Sequence, residues 1–152
     1  MVRQPAADRV HAGAMVVVAL GTIAYWVAYF AAGAVQTAGD AVYVGFENAF
    51  PAADGYMAAC WLAAASLLWR GRATAIPVGI AAGSAMIFLG LMDTLFNLEH
   101  GKYASMTAEM AVETVINLVC LTFGPLTIVR LWGLRERLGA DGPIGGSLRR
   151  GG

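Results

Sequence analysis

The stretch TAIPVGIAAGSAMIFLGLMDTLFNLEH, residues 74–100, decides the fold class. It carries no charge before Asp93, and about 20 apolar residues are what a helix needs to cross roughly 30 Å of hydrocarbon. Pro77 falls in the first turn, where its missing N–H costs no intrahelical bond. Gly79, Gly83, Met86, Gly90, Asp93, Asn97 and His100 step by three and four, so they share one helix face. Gly79, Gly83 and Gly90 make a small-residue seam along it, and Gly79-x-x-x-Gly83 is the spacing that lets two membrane helices approach closely. This face is expected to meet a neighbouring helix, with the polar end of the seam inside a bundle.

Three further runs flank it. Residues 12–39 contain no charge; the run is too long for the apolar core of a signal peptide, so an anchored span over about 12–35 is expected. Residues 51–69 are interrupted only by Asp54, and Pro51 suits a first helical turn. Residues 107–131 open on Thr107 as N-cap, carry Glu109, Glu113 and Asn117 in their first half, and contain Pro125, which is expected to bend the helix. Composition agrees with a membrane class: of 152 residues 59% are apolar and only 13% charged, against about 25% charged in a soluble domain, and mean hydropathy is +0.64. The expectation is an all-α integral membrane four-helix bundle with spans at about 12–35, 51–69, 74–98 and 107–131. The bundle occupies 12–138, after an N-terminal segment 1–11. Beyond it, 139–152 is glycine-rich and reads as a flexible tail after a helical extension through Leu138.

Cations set the orientation, because Lys and Arg in short loops stay cytoplasmic. Arg3 and Arg9 precede the first run, Arg70 and Arg72 lie between the second and third, and Arg130, Arg135, Arg137, Arg149 and Arg150 follow the fourth. Four crossings place all nine on one side, so both termini are expected in the cytoplasm. Trp69 and Trp132 then fall near the inner interface and Tyr43, Tyr56 and Tyr103 near the outer one, as aromatic belts require. Arginine used almost to the exclusion of lysine points to a GC-rich bacterial genome, hence a plasma (inner) membrane. Net charge is zero and no basic patch carries interleaved aromatics, which argues against nucleic acid as a partner.

Acidic residues show the opposite bias. Asp40, Glu47, Asp54, Asp93, Glu99, Glu109 and Glu113 all fall toward the outer side, with Lys102 as the single cation there. At 1.5 Å per residue, Asp54 lies about 24 Å from Arg70, Glu113 about 26 Å from Arg130 and Asp93 about 32 Å from Arg72. Three acids from three spans thus reach similar levels, with Asn117 deeper. Intramembrane ionisable groups are functional by default, so Asp54, Asp93, Asn97, His100, Glu109, Glu113 and Asn117 are the candidate ligand- or ion-binding residues. Asp93, His100, Glu109 and Glu113 also form an oxygen and imidazole set suited to a divalent metal, although Glu109 and Glu113 lack the Glu-x-x-His spacing of helical di-iron sites. Against this stands a structural alternative: Asp54, Glu109 and Glu113 near helix starts offset the macrodipole, Asn97 and Asn117 bond across helices, and His100 is a solvated loop residue. Glu47 and Asn48 read as part of a surface loop or a shallow interfacial segment. Cys60 and Cys120 have no second cysteine nearby and read as small hydrophobes, and Tyr25, Trp26 and Tyr29 read as packing residues that could also line a lipid pocket.

No phosphate loop, nucleophile elbow, zinc-protease helix or dinucleotide fingerprint occurs, so the sequence leans away from an enzyme and names no cofactor. Three classes of function follow. The acids can receive a cation, a proton or a cationic amphiphile, in a protein expected to self-associate because four short spans make a poor pore. The chain can instead be an accessory subunit docking a partner membrane protein. Or it can be a small enzyme using two acids for proton transfer on a lipid or quinone.

Overall fold

The computed structural model describes residues 5–32, 41–105 and 107–140, with main chain alone at residues 32, 41–43 and 140. Arg3, Asp40, the side chain of Tyr43 and the tail from 141 onward therefore lie outside the described residues. The described chain is all-helical, and no strand occurs within it. Its helices are α1 (Ala6–Ala32), α2 (Ala41–Glu47), α3 (Phe50–Trp69), α4 (Ala75–Glu99), α5 (Ala108–Gly133) and α6 (Arg135–Ala140). Of these, α1, α4 and α5 are long and apolar enough to cross a membrane.

Local chemistry explains the boundaries. Pro51 sits in the opening turn of α3. That helix ends where Gly71 takes a left-handed φ of 65° and Arg72 N–H donates to the Leu67 carbonyl, so α3 and α4 reverse direction within a few residues. Gly101, at φ 62°, makes the equivalent reversal after α4, followed by a 3-10 turn at Lys102–Ala104. Thr107 caps α5, its hydroxyl accepting from Met110 N–H. Pro125 is exposed, and α5 continues through it. A one-residue break at Leu134 leads into α6.

The long helices pack in chain order: α1 on α3, α3 on α4, α4 on α5. α4 and α5 approach most closely where Gly83 faces Gly124. A Cβ on either would sit 3.0 Å from the other's carbonyl oxygen. A Cβ on Gly90 would lie 2.6 Å from Cys120 Cβ, and one on Gly79 would run into Leu131. The small-residue face of α4 is thus filled by α5, with Ala64 of α3 also beside Gly79. Met15, Trp61, Leu68, Met86 and Leu131 occupy the interior. Leu20, Val27, Phe30, Phe88, Leu95, Val115 and Val129 point outward, an inside-out distribution suited to a chain whose surroundings are hydrocarbon.

The bundle has two chemically distinct ends. At the arginine end α1 and α4 begin and α3 and α5 finish, and Trp69 Nε1–H reaches the Arg9 carbonyl at 3.4 Å. Asp8, almost fully buried, pairs there with Arg130 at 3.3 Å and with Arg137 of α6. The opposite, acidic end holds α2, the start of α3 and the α4–α5 connection.

Candidate functional site

The α4–α5 packing fixes the polar chemistry of the acidic end. Asp93-x-x-x-Asn97 on α4 runs antiparallel to Glu113-x-x-x-Asn117 on α5, and each motif carries an acid one helical turn from an asparagine. Because the directions are opposed, each asparagine meets the other helix's acid. Asn117 Nδ2 donates to Asp93 Oδ2 at 2.7 Å, and Asn97 Nδ2 to Glu113 Oε2 at 3.3 Å. Asn117 Nδ2 also reaches the Tyr103 hydroxyl at 3.3 Å. The two rungs continue the register set by Gly90 against Cys120.

A third acid comes from α3. Asp54 Oδ2 accepts from Trp26 Nε1–H at 2.8 Å, which ties α1 to α3. The fourth comes from α2, which folds over this end of the bundle. Phe46 stacks on Phe96 with ring centroids 3.8 Å apart, and Phe96 stacks in turn on His100. That stack pins α2 to α4 and turns the neighbouring Glu47 inward. Glu47 is 8% exposed, is hydrogen-bonded by Tyr29, and leaves Oε2 without a hydrogen-bond partner. Burial pushes its carboxyl up to about 7; the Tyr29 bond opposes this, and the Glu113 and Asp93 carboxylates reinforce it.

Between these groups lies a cleft of about 320 Å³. Glu47, Asp54, Asp93 and Glu113 line it, with no lysine or arginine among its described lining residues. Its remaining wall is largely apolar and aromatic, including Val17, Tyr25, Trp26, Phe50, Met86 and Ile116. One side of the cleft belongs to α1 and the other to α5, helices that do not pack along their lengths. They are joined at the arginine end by Asp8 with Arg130 and Arg137, and by His11 against Phe123 at 5.4 Å.

No family model, curated protein or solved structure matches this chain. The site therefore has to be read from its own groups.

Of the residues singled out in the sequence, Asp54, Asp93, Glu113 and Asn117 line the cleft, and Asn97 braces Glu113 from behind. His100 and Glu109 stand apart. The His100 ring is exposed, within hydrogen-bond distance of the Phe96 carbonyl at 2.9 Å, and Glu109 lies in the first turn of α5. Consequently Asp93, His100, Glu109 and Glu113 do not converge, and no group of three or more His, Cys, Asp or Glu among the described residues is arranged to hold a metal ion. Cys60 and Cys120 are free thiols, the latter packed under Gly90.

Sequence reasoning left Glu47 out of the site, placing it in a surface loop or a shallow interfacial segment. It is buried at the end of a short helix because Phe46 beside it finds an aromatic partner in Phe96. The signal available was the Phe46-Glu47-Asn48-Ala49-Phe50 spacing: Phe46 and Phe50 lie one helical turn apart, with ring centroids 4.8 Å apart. Trp26 belongs to the site through its bond to Asp54, a role that its aromatic spacing alone did not reveal.

Proposed function

We propose that this chain is a four-span plasma-membrane protein, with α3 as its fourth crossing and both termini cytoplasmic, that binds or transports a cation at the outer-leaflet end of the bundle. The arginine bias supports that orientation, since the described arginines sit at one end and the acidic end faces away from it. α3, at 20 residues, is about 30 Å long and matches the hydrocarbon thickness.

One observation carries the functional reading: four carboxylates from four different helices converge on one apolar cleft that no described basic side chain lines. Desolvating a carboxylate without a counter-charge is expensive. For Glu47, Asp54 and Asp93 the tyrosine, tryptophan and asparagine donors offset part of that cost but supply no positive charge. A bound cation would supply it.

The test is thermal unfolding of detergent-purified protein against a panel of sodium, potassium, magnesium, calcium and tetraphenylphosphonium. At least one class of cation should raise the midpoint by mass action, and Asp54→Asn/Asp93→Asn should abolish the rise. A midpoint indifferent to every cation would overturn the reading.

A further inference from the structure

Resting on that reading, the geometry points to the ligand's class: we infer that the cleft takes a lipophilic monocation that enters sideways from the bilayer between α1 and α5. Three independent features meet here.

The first is the shape of the opening. Residues that line a closed cavity are buried, yet several lining residues here are strongly exposed: Val17 of α1 at 71%, and Val115 of α5 at 59%. Gly21, also lining and exposed, has nothing within 4 Å of where its Cβ would be. These residues are the two lips of a lateral mouth whose surroundings in a membrane are acyl chains. The arginine end of the same α1–α5 gap is clasped by Asp8, Arg130 and Arg137, so the gap opens only toward its acidic half.

The second is the separation of chemistry inside. Apolar side chains such as Met57, Met86 and Ile116 make most of the wall, while Asp93 and Glu113 lie close enough to Glu47 of α2 to act on it electrostatically. A volume of about 320 Å³ falls in the range of small-molecule pockets and far exceeds a bare ion. No group of three or more His, Cys, Asp or Glu among the described residues is arranged to hold a metal ion. Tyr25, Trp26 and Phe50 line the same space, and an aromatic lining favours a delocalised or alkylated cation through cation–π attraction.

The third is Glu47 itself. It is more than nine-tenths buried, it lines the cleft, and its Oε2 has no hydrogen-bond partner. Its carboxyl group, on a helix that the Phe46–Phe96 stack holds over the cleft, is the group that meets the charged part of a guest whose apolar body lies toward the mouth.

Tetraphenylphosphonium and tetraphenylborate, which share shape and differ in sign, are the probes, and binding to the full-length protein in nanodiscs is the measurement. Tetraphenylphosphonium should bind and tetraphenylborate should not. Gly21→Trp, whose Cβ meets nothing within 4 Å and whose indole adds bulk at the mouth, should weaken phosphonium binding at least about tenfold while leaving the unfolding midpoint near wild type. Glu47→Gln should also weaken it.

Equal binding of both probes would overturn the inference, because the cleft would then accept any lipophile. Stabilisation by sodium, potassium, magnesium or calcium, undiminished in Gly21→Trp and without phosphonium binding, would overturn the lipophilic class and leave the cation-binding reading standing. Indifference to every cation would overturn both.

Discussion

The two ends of this bundle bury the same functional group in opposite ways. At the arginine end Asp8 is enclosed between Arg130 and Arg137, so its charge is answered twice. At the acidic end Asp54 and Asp93 receive only neutral donors, Trp26 Nε1–H and Asn117 Nδ2–H, and no arginine or lysine pairs with either among the described residues. Both arrangements supply hydrogen-bond donors, but only the first supplies positive charge. A carboxylate between two arginines belongs to the architecture; on the proposed reading, one that meets only neutral donors is placed for a positive guest.

The largest effect should come from making one substitution at both ends. Asp8→Asn strips the counter-charge from two arginines that also hold α1 against α5 and α6, and should cost about 2 kcal/mol, the scale of hydrogen bonds to charged groups. A fully buried pair would cost more, but here the Arg130 and Arg137 side chains are 33% and 40% exposed. Asp93→Asn removes an unanswered charge while keeping an oxygen to accept from Asn117, so it should leave the unfolding midpoint unchanged or raise it. Thermal unfolding in one detergent checks both. Equal losses at the two ends would break the comparison outright.

Next in size is the seam that holds the acidic end in register. Gly124→Val would drive a Cβ to 3.0 Å from the Gly83 carbonyl oxygen, a backbone atom that cannot swing aside, and should cost about 1–3 kcal/mol as an overpacked contact. It should also disrupt the two asparagine–carboxylate rungs further along α4 and α5, because their pairing depends on that register. Gly13→Ala, where a Cβ meets nothing within 4 Å, is the control and should cost nothing, the helix preference for alanine leaving stability level or slightly raised. Chemical shifts of the Asn97 and Asn117 side-chain amides would separate a loss of register from a mere loss of stability.

The acidic end should also respond to pH. Glu47 titrates at about 7 in the folded chain against an ordinary value of 4.5, so the folded state binds the proton more tightly than the unfolded one. Stability from this group is therefore fully present below pH 4.5 and is lost as pH rises through about 7. The unfolding midpoint should fall by a few degrees across that window, and Glu47→Gln should flatten the fall. A profile that keeps its slope in Glu47→Gln would assign the titration elsewhere.

How much of this was legible in the sequence differs between the ends as well. Long runs poor in charge announced α1, α3, α4 and α5, because hydrocarbon tolerates little else over such lengths. The three-and-four stepping of Gly79, Gly83, Gly90, Asp93 and Asn97 marked one face of α4, since helical phase is a local property. What stayed hidden was whatever depended on another element. Asp8 reads as one more acid near the N-terminus until α6 brings Arg137 back across 129 residues to meet it. Glu47 reads as a loop residue until Phe96 captures its neighbour. Even the reciprocal Asp93-x-x-x-Asn97 and Glu113-x-x-x-Asn117 motifs, present in plain sight, gain meaning only once α4 and α5 are known to run antiparallel in that register.

That reciprocity supports the finest test of the comparison. In the rung between Asp93 and Asn117 one partner carries charge and the other carries donors, at 2.7 Å. Breaking it with Asn117→Leu should cost about 1 kcal/mol, the scale of interhelical hydrogen bonds in membranes. Exchanging the partners, Asp93→Asn with Asn117→Asp, rebuilds the same bond in reverse and should return stability to within about 0.5 kcal/mol of wild type, with the two single substitutions failing to add. The exchanged protein, however, carries its charge on α5 instead of α4. If the rung is only packing, the exchange should also leave cation binding intact. If the charge is placed to meet a guest, binding should weaken while the fold is indifferent, and the acidic end will have separated its two roles within a single pair of side chains.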